Sequence, residues 1–167
     1  LGAGNGEMMK IIIESLKKFP NFLNSCNIFI FEKSPTLIKI QKEKLQGSKI
    51  TWLSKINQIK KKPTIFIANE FFDSIALKQF IKLGNSWYER FVNIKRKKKF
   101  FFDKKFNMVK FEKKIKQKIS YGQNFIEYSE DGINYLREIA TIIKKNQGGI
   151  LIIDYGYLDK KMKNTLQ

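Results

Sequence analysis

Apolar residues in this chain alternate between helical stripes and short unbroken runs. Met8, Met9, Ile12, Ile13 and Leu16 share one stripe, and a run from Asn27 to Phe31 follows. Ser34 and Pro35 then open a second stripe, Leu37, Ile38, Gln41 and Leu45, that ends near Gly47. A Ser at the N-cap followed by Pro in the first helical position is a helix-start pattern. Ile50–Leu53 has the length of a third strand, and Pro63 introduces a fourth apolar run, Thr64 to Ala68. Near the end, Glu130-Asp131-Gly132 precedes a stripe of Ile133, Leu136, Ile139, Ala140 and Ile143, and Gly148-Gly149 separates it from a buried strand, Ile150–Ile153. Strands alternating with helices predict an α/β fold with a mostly parallel, doubly wound sheet.

Between these regions the pattern changes. Ala76–Leu83 and Trp87–Ile94 flank Gly84-Asn85-Ser86, a turn signal, and suggest a helix end or a strand leading into a hairpin. A basic tip, Lys95–Lys99, precedes a returning strand at Phe100–Phe102, and Lys and Phe then alternate to Ile119 without deciding between helix and strand. This reads as a lysine-rich, hairpin-like insertion at 95–120, between a first core part at 1–94 and a second at 121–167 of one domain. The loop at Lys60-Lys61-Lys62 and the tail from Leu158 to Gln167 carry no core pattern.

The 167 residues suffice for one hydrophobic core. The chain opens at Leu1 inside a glycine motif, which reads as part of a longer protein lacking its first core strand and its C-terminal part, and inactive alone. No apolar run is long enough to span a bilayer. Cys26 is the single cysteine, which excludes an internal disulfide and fits a bacterial cytoplasm or a mitochondrial matrix. With no histidine, His metal sites and Ser-His or Cys-His nucleophiles are excluded within this segment, and no metal is expected. The net charge of +18 invites anionic partners. Of 33 basic residues, however, only Arg90, Arg96 and Arg137 are arginine. With abundant Ile, Asn and Phe, this resembles AT-rich codon bias more than a phosphate-binding surface built from arginine forks.

Chemistry gathers at strand ends. Gly2, Gly4 and Gly6 alternate ahead of the first helix, so the backbone can turn tightly and approach a ligand. Glu32 ends the next run, 26 residues after Gly6, near the spacing at which an acid binds ribose hydroxyls. It could equally be a surface acid beside Lys33. Trp52 stands where an adenine would be bordered, or packs in the core. Asn69, Glu70 and Asp73 follow the fourth run, at the carboxyl end where open α/β sheets place ligands; Asn69 or Asp73 could alternatively cap a helix. Asp154 and Tyr155 end the last strand in the same way.

The runs IANEFFDSIALKQF, WYERFV and IDYGY, with FEKSPTLIKIQ and the opening LGAGNGEMM, resemble the MidA-like family of class I S-adenosylmethionine-dependent methyltransferases. Its mitochondrial members are arginine methyltransferases that assist assembly of respiratory complex I. The resemblance covers nearly the whole chain except about 95–120. Ala76 stands where the family usually has proline, and the acid expected before the glycine loop would precede Leu1. The resemblance implies a Rossmann-like fold that binds S-adenosyl-L-methionine through Gly2, Gly4, Gly6 and Glu32, with Trp52 and Asn69 alongside. It also implies a protein substrate whose target arginine is held by Glu70 and Asp73, helped by Asn69, with Asp154 and Tyr155 closing the site. Two other readings stay open. One is an RNA or DNA N-methyltransferase, which the basic charge would suit. The other is a non-catalytic assembly factor gripping a partner through Trp87–Phe102. A nicotinamide dehydrogenase finds no hydride-transfer site here.

Overall fold

The computed structural model describes residues 1–59, 62–95, 98–156, 162, 164 and 165. Lys60 and Lys61 of the lysine loop, Arg96 and Lys97 of the basic tip, Tyr157, and residues 158–161, 163, 166 and 167 of the tail lie outside them. The chain divides into two compact units, Leu1–Ile75 with Gly132–Tyr155, and Ala76–Asp131 with Gly156–Gln167. The second unit is therefore wider than the expected insertion at 95–120.

In the first unit, helix α1 (Glu7–Leu16) starts behind Gly6, which has left-handed backbone, and a short helix α2 (Pro20–Ser25) follows. Strand β1 (Ile28–Phe31) pairs in parallel with β2 (Ile50–Leu53) across helix α3 (Pro35–Lys44). The Ser34 hydroxyl accepts the Leu37 N–H at the start of α3, and Pro35 occupies its first turn, as the sequence predicts. Strand β3 (Thr64–Asn69) pairs in parallel with β8 (Gly148–Ile153), which follows helix α5 (Glu130–Asn146). Gly148 begins β8 at φ 129, and a Cβ there would sit 2.0 Å from the Thr64 carbonyl oxygen, so only glycine lets this pair close.

Among the described residues the two parallel pairs are not hydrogen-bonded to each other as strands. Leu1 and Gly2 bridge them: the Leu1 amino group donates to the Ile67 carbonyl and the Gly2 N–H to the Phe31 carbonyl, at 2.8 and 2.9 Å. Beneath this bridge, Phe31, Ile56, Phe66, Ala68, Phe71 and Ile139 form one buried cluster, and Ile13, Ile30 and Leu45 form another under α1 and α3.

Two expectations need correction here. Strand β8 is only partly covered among the described residues: Ile150 packs on the first cluster, whereas Leu151, Ile152 and Ile153 are 53%, 43% and 49% exposed. The inward stripe of α5 is Tyr135, Ile139, Ile142 and Ile143, while Ala140 faces solvent. The larger side chains at i, i+4 and i+7 cover more apolar area than alanine can.

The second unit is a four-stranded antiparallel sheet in the order β6-β5-β4-β7, from β4 (Lys78–Leu83), β5 (Ser86–Lys95), β6 (Lys98–Phe106) and β7 (Phe125–Tyr128). Gly84-Asn85 turns β4 into β5. The region where helix and strand were indistinguishable resolves into the end of β6 and helix α4 (Met108–Ile115), whose Asn107 caps the Lys110 N–H. Met108 and Phe111 of α4 pack with Phe80 and Ile126 as this unit's core.

Candidate functional site

Gly2, Gly4 and Gly6 adopt φ of 57°, 54° and 88°, where other residues are strained. A Cβ on Gly2 would stand 2.7 Å from Phe71 Cδ2, so this glycine is required by close approach as well as by its dihedral. Above Gly4 there is open space for a Cβ. The loop closes on itself through Gly6 N–H to the Ala3 carbonyl, and Asn5 Oδ1 accepts the Glu7 N–H at the first turn of α1.

Glu32 stands directly after β1. Its Oε1 accepts the backbone N–H groups of Lys33 and Ser34 at 2.9 and 3.0 Å, and its Oε2 accepts Gln41 Nε2 at 3.3 Å. The acid is therefore held from below, with lone-pair capacity left for a hydroxyl donor. A constricted glycine loop beside a fixed carboxylate suits a ligand that carries a diol, which is the fit an adenosyl group requires.

The second group surrounds the end of β3. Asn69 is the last residue of that strand, opposite Ile153 of β8. The next residue, Glu70, is exposed and left-handed at φ 48, held by its N–H on the Ile153 carbonyl at 2.8 Å. A non-glycine residue kept there stores about 1–3 kcal/mol, a cost that concentrates at functional positions. Asp154 Oδ2 accepts the N–H groups of Phe72 and Asp73 at 3.2 and 3.3 Å, and its Oδ1 accepts the Tyr155 N–H. Asp154 therefore shapes the 70–73 loop, while the exposed carboxylates of Glu70 and Asp73 are the groups available to a ligand. The charge of Glu70, then its hydrogen bond, push the Tyr155 phenol pKa up, with smaller contributions from Asp73 and Asp154. No helix follows Asn69 or Asp73, so neither is a helix cap.

The two groups meet through Phe71, whose ring lies under Gly2 and edge-on to Phe31, with Tyr135 closing the trio. Trp52 has a different role from an open wall. Its ring packs on the Ile13, Ile30 and Leu45 cluster beneath the Lys42 ammonium, and its indole N–H donates to Gln41 Oε1 at 2.9 Å. Gln41 and Phe71 are the residues the sequence reading did not single out. Gln41 carried a signal, since a polar residue occupied an inward position of the α3 stripe.

The chain is similar to known proteins in sequence and in fold. Residues 1–167 match the family described as "Putative S-adenosyl-L-methionine-dependent methyltransferase". The chain is 25% identical over 187 residues to Protein arginine methyltransferase NDUFAF7, mitochondrial, of Xenopus laevis, covering 96% of this chain and 43% of that protein. It is 30% identical over 114 residues to the mitochondrial NDUFAF7 homolog of Caenorhabditis elegans, covering 56% of this chain and 26% of that one. The chain thus spans less than half the length of these relatives. In fold it is similar to a Burkholderia thailandensis protein solved with bound S-adenosyl-homocysteine, at a TM-score of 0.65 and 18% identity, covering 84% of this chain and 37% of that one.

Proposed function

We propose that this chain, which belongs to the S-adenosyl-L-methionine-dependent methyltransferase family it matches from end to end, binds that cofactor at its glycine loop and holds an arginine of a protein substrate at Glu70 and Asp73. When bound, the cofactor supplies an electrophilic methyl group on a sulfonium. The chain's residues do the rest. Gly2, Gly4 and Gly6 give the backbone close access, and Glu32 accepts hydroxyl hydrogen bonds. Glu70 and Asp73 grip the planar guanidinium as a fork, with Asn69 adding a hydrogen bond, and orient one nitrogen for in-line attack. Their negative charge would offset the positive charge on that nitrogen as it is methylated, and the exposed carboxylates would take the proton that the nitrogen must lose. Asp154 keeps the 70–73 loop in place, and Tyr155 borders it.

The observation that carries this reading is an acidic strand end in a chain of net charge +18. Glu70, Asp73 and Asp154 converge where a cationic acceptor would be recognised. The named function of the Xenopus laevis relative supports arginine as that acceptor. We read the two parallel pairs, bridged by Leu1 and Gly2, as parts of one doubly wound sheet, and the antiparallel unit as an insertion into that single domain. The relatives' names, which say mitochondrial, support a mitochondrial location, with a bacterial cytoplasm as the alternative. Among the described residues no helix is long and apolar enough to cross a membrane.

The antiparallel unit favours a second reading, a binding factor. Ser86–Phe106 holds eight basic and two acidic residues, and both acids are paired, Glu89 with Lys78 and Asp103 with Arg90. Val92, Ile94 and Phe101 are exposed on the two strands that carry Lys95, Lys98, Lys99, Lys104 and Lys105, a surface suited to an acidic protein partner. A nucleic-acid acceptor is favoured less: Phe91 and Phe102 stack on each other under Lys104, which occupies ring faces that bases would need.

The full-length protein, incubated with methyl-labelled S-adenosylmethionine and cell extract, should place label in protein that hydrolyses to methylarginine. Label in nucleic acid would overturn the arginine assignment. Cofactor binding without any label would favour the binding factor. A Glu70→Gln variant should keep cofactor binding and lose transfer; undiminished transfer would remove Glu70 from the mechanism.

A further inference from the structure

We infer that Gln41 is a positioning residue of the cofactor site, whose side-chain amide locks the glycine loop to the Glu32 carboxylate. The inference rests on the cofactor reading above and deepens it. Gln41 is fully buried on α3, a costly place for an amide unless its hydrogen-bonding groups find partners. Nε2 donates to the Gly4 carbonyl at 2.7 Å and to Glu32 Oε2 at 3.3 Å, and Oε1 accepts the Trp52 indole N–H at 2.9 Å. Three segments that the sequence separates, the loop at Gly4, the acid after β1 and the tryptophan on β2, are thus joined by one side chain.

The orientation of the amide follows from donor and acceptor chemistry. An indole N–H can only donate, so the oxygen of Gln41 must face Trp52. The Gly4 carbonyl and the Glu32 carboxylate can only accept, so the NH₂ must face them. A flipped amide would set donor against donor and acceptor against two acceptors. Trp52 therefore sets Gln41, and Gln41 sets the two groups that a bound nucleoside would touch. Gly6 is also packed against this residue, since a Cβ there would lie 3.6 Å from Gln41 Cγ. The helix carrying Gln41 is tied to α1 by the Lys44–Glu7 ion pair, so the latch is anchored to the element behind the loop.

The test is the affinity for S-adenosylhomocysteine, measured by calorimetry between pH 5.5 and 8. Gln41→Met keeps the volume and removes every hydrogen bond; binding should weaken about 10- to 100-fold at all pH values, the worth of a charge-assisted bond. Gln41→Glu places a carboxyl against Glu32, where two like charges cannot both ionise cheaply. Its binding should be as weak at pH 8 and recover on acidification, because the protonated carboxyl can donate again. Other charged groups near the site are Lys42 over Trp52, Lys33 over Tyr135, and the Lys44–Glu7 pair. These are common to all three proteins, so the difference between the pH curves isolates the introduced carboxyl. A Gln41→Glu affinity that is flat with pH and equal to the unsubstituted protein's would overturn this inference alone. Equal losses in the two variants with no recovery in acid would reduce Gln41 to a packing role. An unsubstituted protein that binds no S-adenosylhomocysteine would overturn the cofactor reading and this inference together.

Discussion

The two halves of the strand-end site are built on opposite plans. On the β1–β2 side, polar groups are held: both Glu32 oxygens are engaged, Gln41 is buried and saturated, and Gly2 is wedged over Phe71. On the β3–β8 side, Glu70 and Asp73 are exposed, Tyr155 is 79% exposed, and of the three acids Asp154 is the one whose carboxylate is engaged on the backbone among the described residues. The first plan suits one invariable ligand, whose binding gains from geometry fixed beforehand. The second suits a variable side chain that arrives on a macromolecule, recognised by charge. A site of this kind can keep its cofactor while its acceptor preference is altered.

Phe31 is where the plans are joined, since its ring meets Phe71 and Tyr135 edge-on in the cluster that supports both sides. Phe31→Ala should therefore cause the largest effect, a loss of about 3–5 kcal/mol in chemical denaturation. Next comes Gly2→Ala, which forces a left-handed alanine against Phe71 and should cost about 1–3 kcal/mol. Affinity for S-adenosylhomocysteine should fall in parallel, as titration calorimetry would read. A Gly2→Ala protein with unchanged affinity would mean that the loop is not the cradle.

Glu32→Gln and Glu70→Gln then separate the halves by function. The first should weaken S-adenosylhomocysteine binding about 10- to 100-fold through loss of a charge-assisted acceptor. The second should leave that affinity within about twofold, because it removes a charge that faces the acceptor side. Equal effects of the two substitutions on affinity would show that the division is false.

How much of this was legible beforehand follows the same division. The strand runs, the Ser34-Pro35 helix start and the acids after the runs could be read because each depends on residues adjacent in sequence. The two parallel pairs follow from the β-α alternation. What could not be read were contacts fixed by the third dimension: Phe71 under Gly2, or the Trp52–Gln41–Gly4 chain spanning residues 4 to 52. Residues 103–119 alternate Lys and Phe in a way that suits either period, and only the packing of Met108 and Phe111 on Phe80 selects a helix there. Asp154 reads as another pocket acid because its position after a strand is visible, whereas the Phe72 and Asp73 N–H groups that its Oδ2 accepts lie 82 and 81 residues away.

The smallest expected effect sharpens the acceptor side most directly. The Tyr155 phenol is held above its ordinary pKa, first by the Glu70 charge and then by its hydrogen bond to Glu70, since a phenolate there would face a carboxylate. The phenol should therefore remain protonated at a pH where an ordinary tyrosine has begun to ionise. Glu70→Gln removes the charge, so the pKa should fall back toward the ordinary value near 10. Ultraviolet titration of tyrosinate, taken as the difference between each protein and its Tyr155→Phe counterpart, isolates this residue from the other tyrosines. A midpoint that does not move would mean that the Glu70 carboxylate points away from Tyr155. Glu70 would then no longer be placed beside Tyr155, and the proposed acceptor side would rest on Asp73 and Asn69.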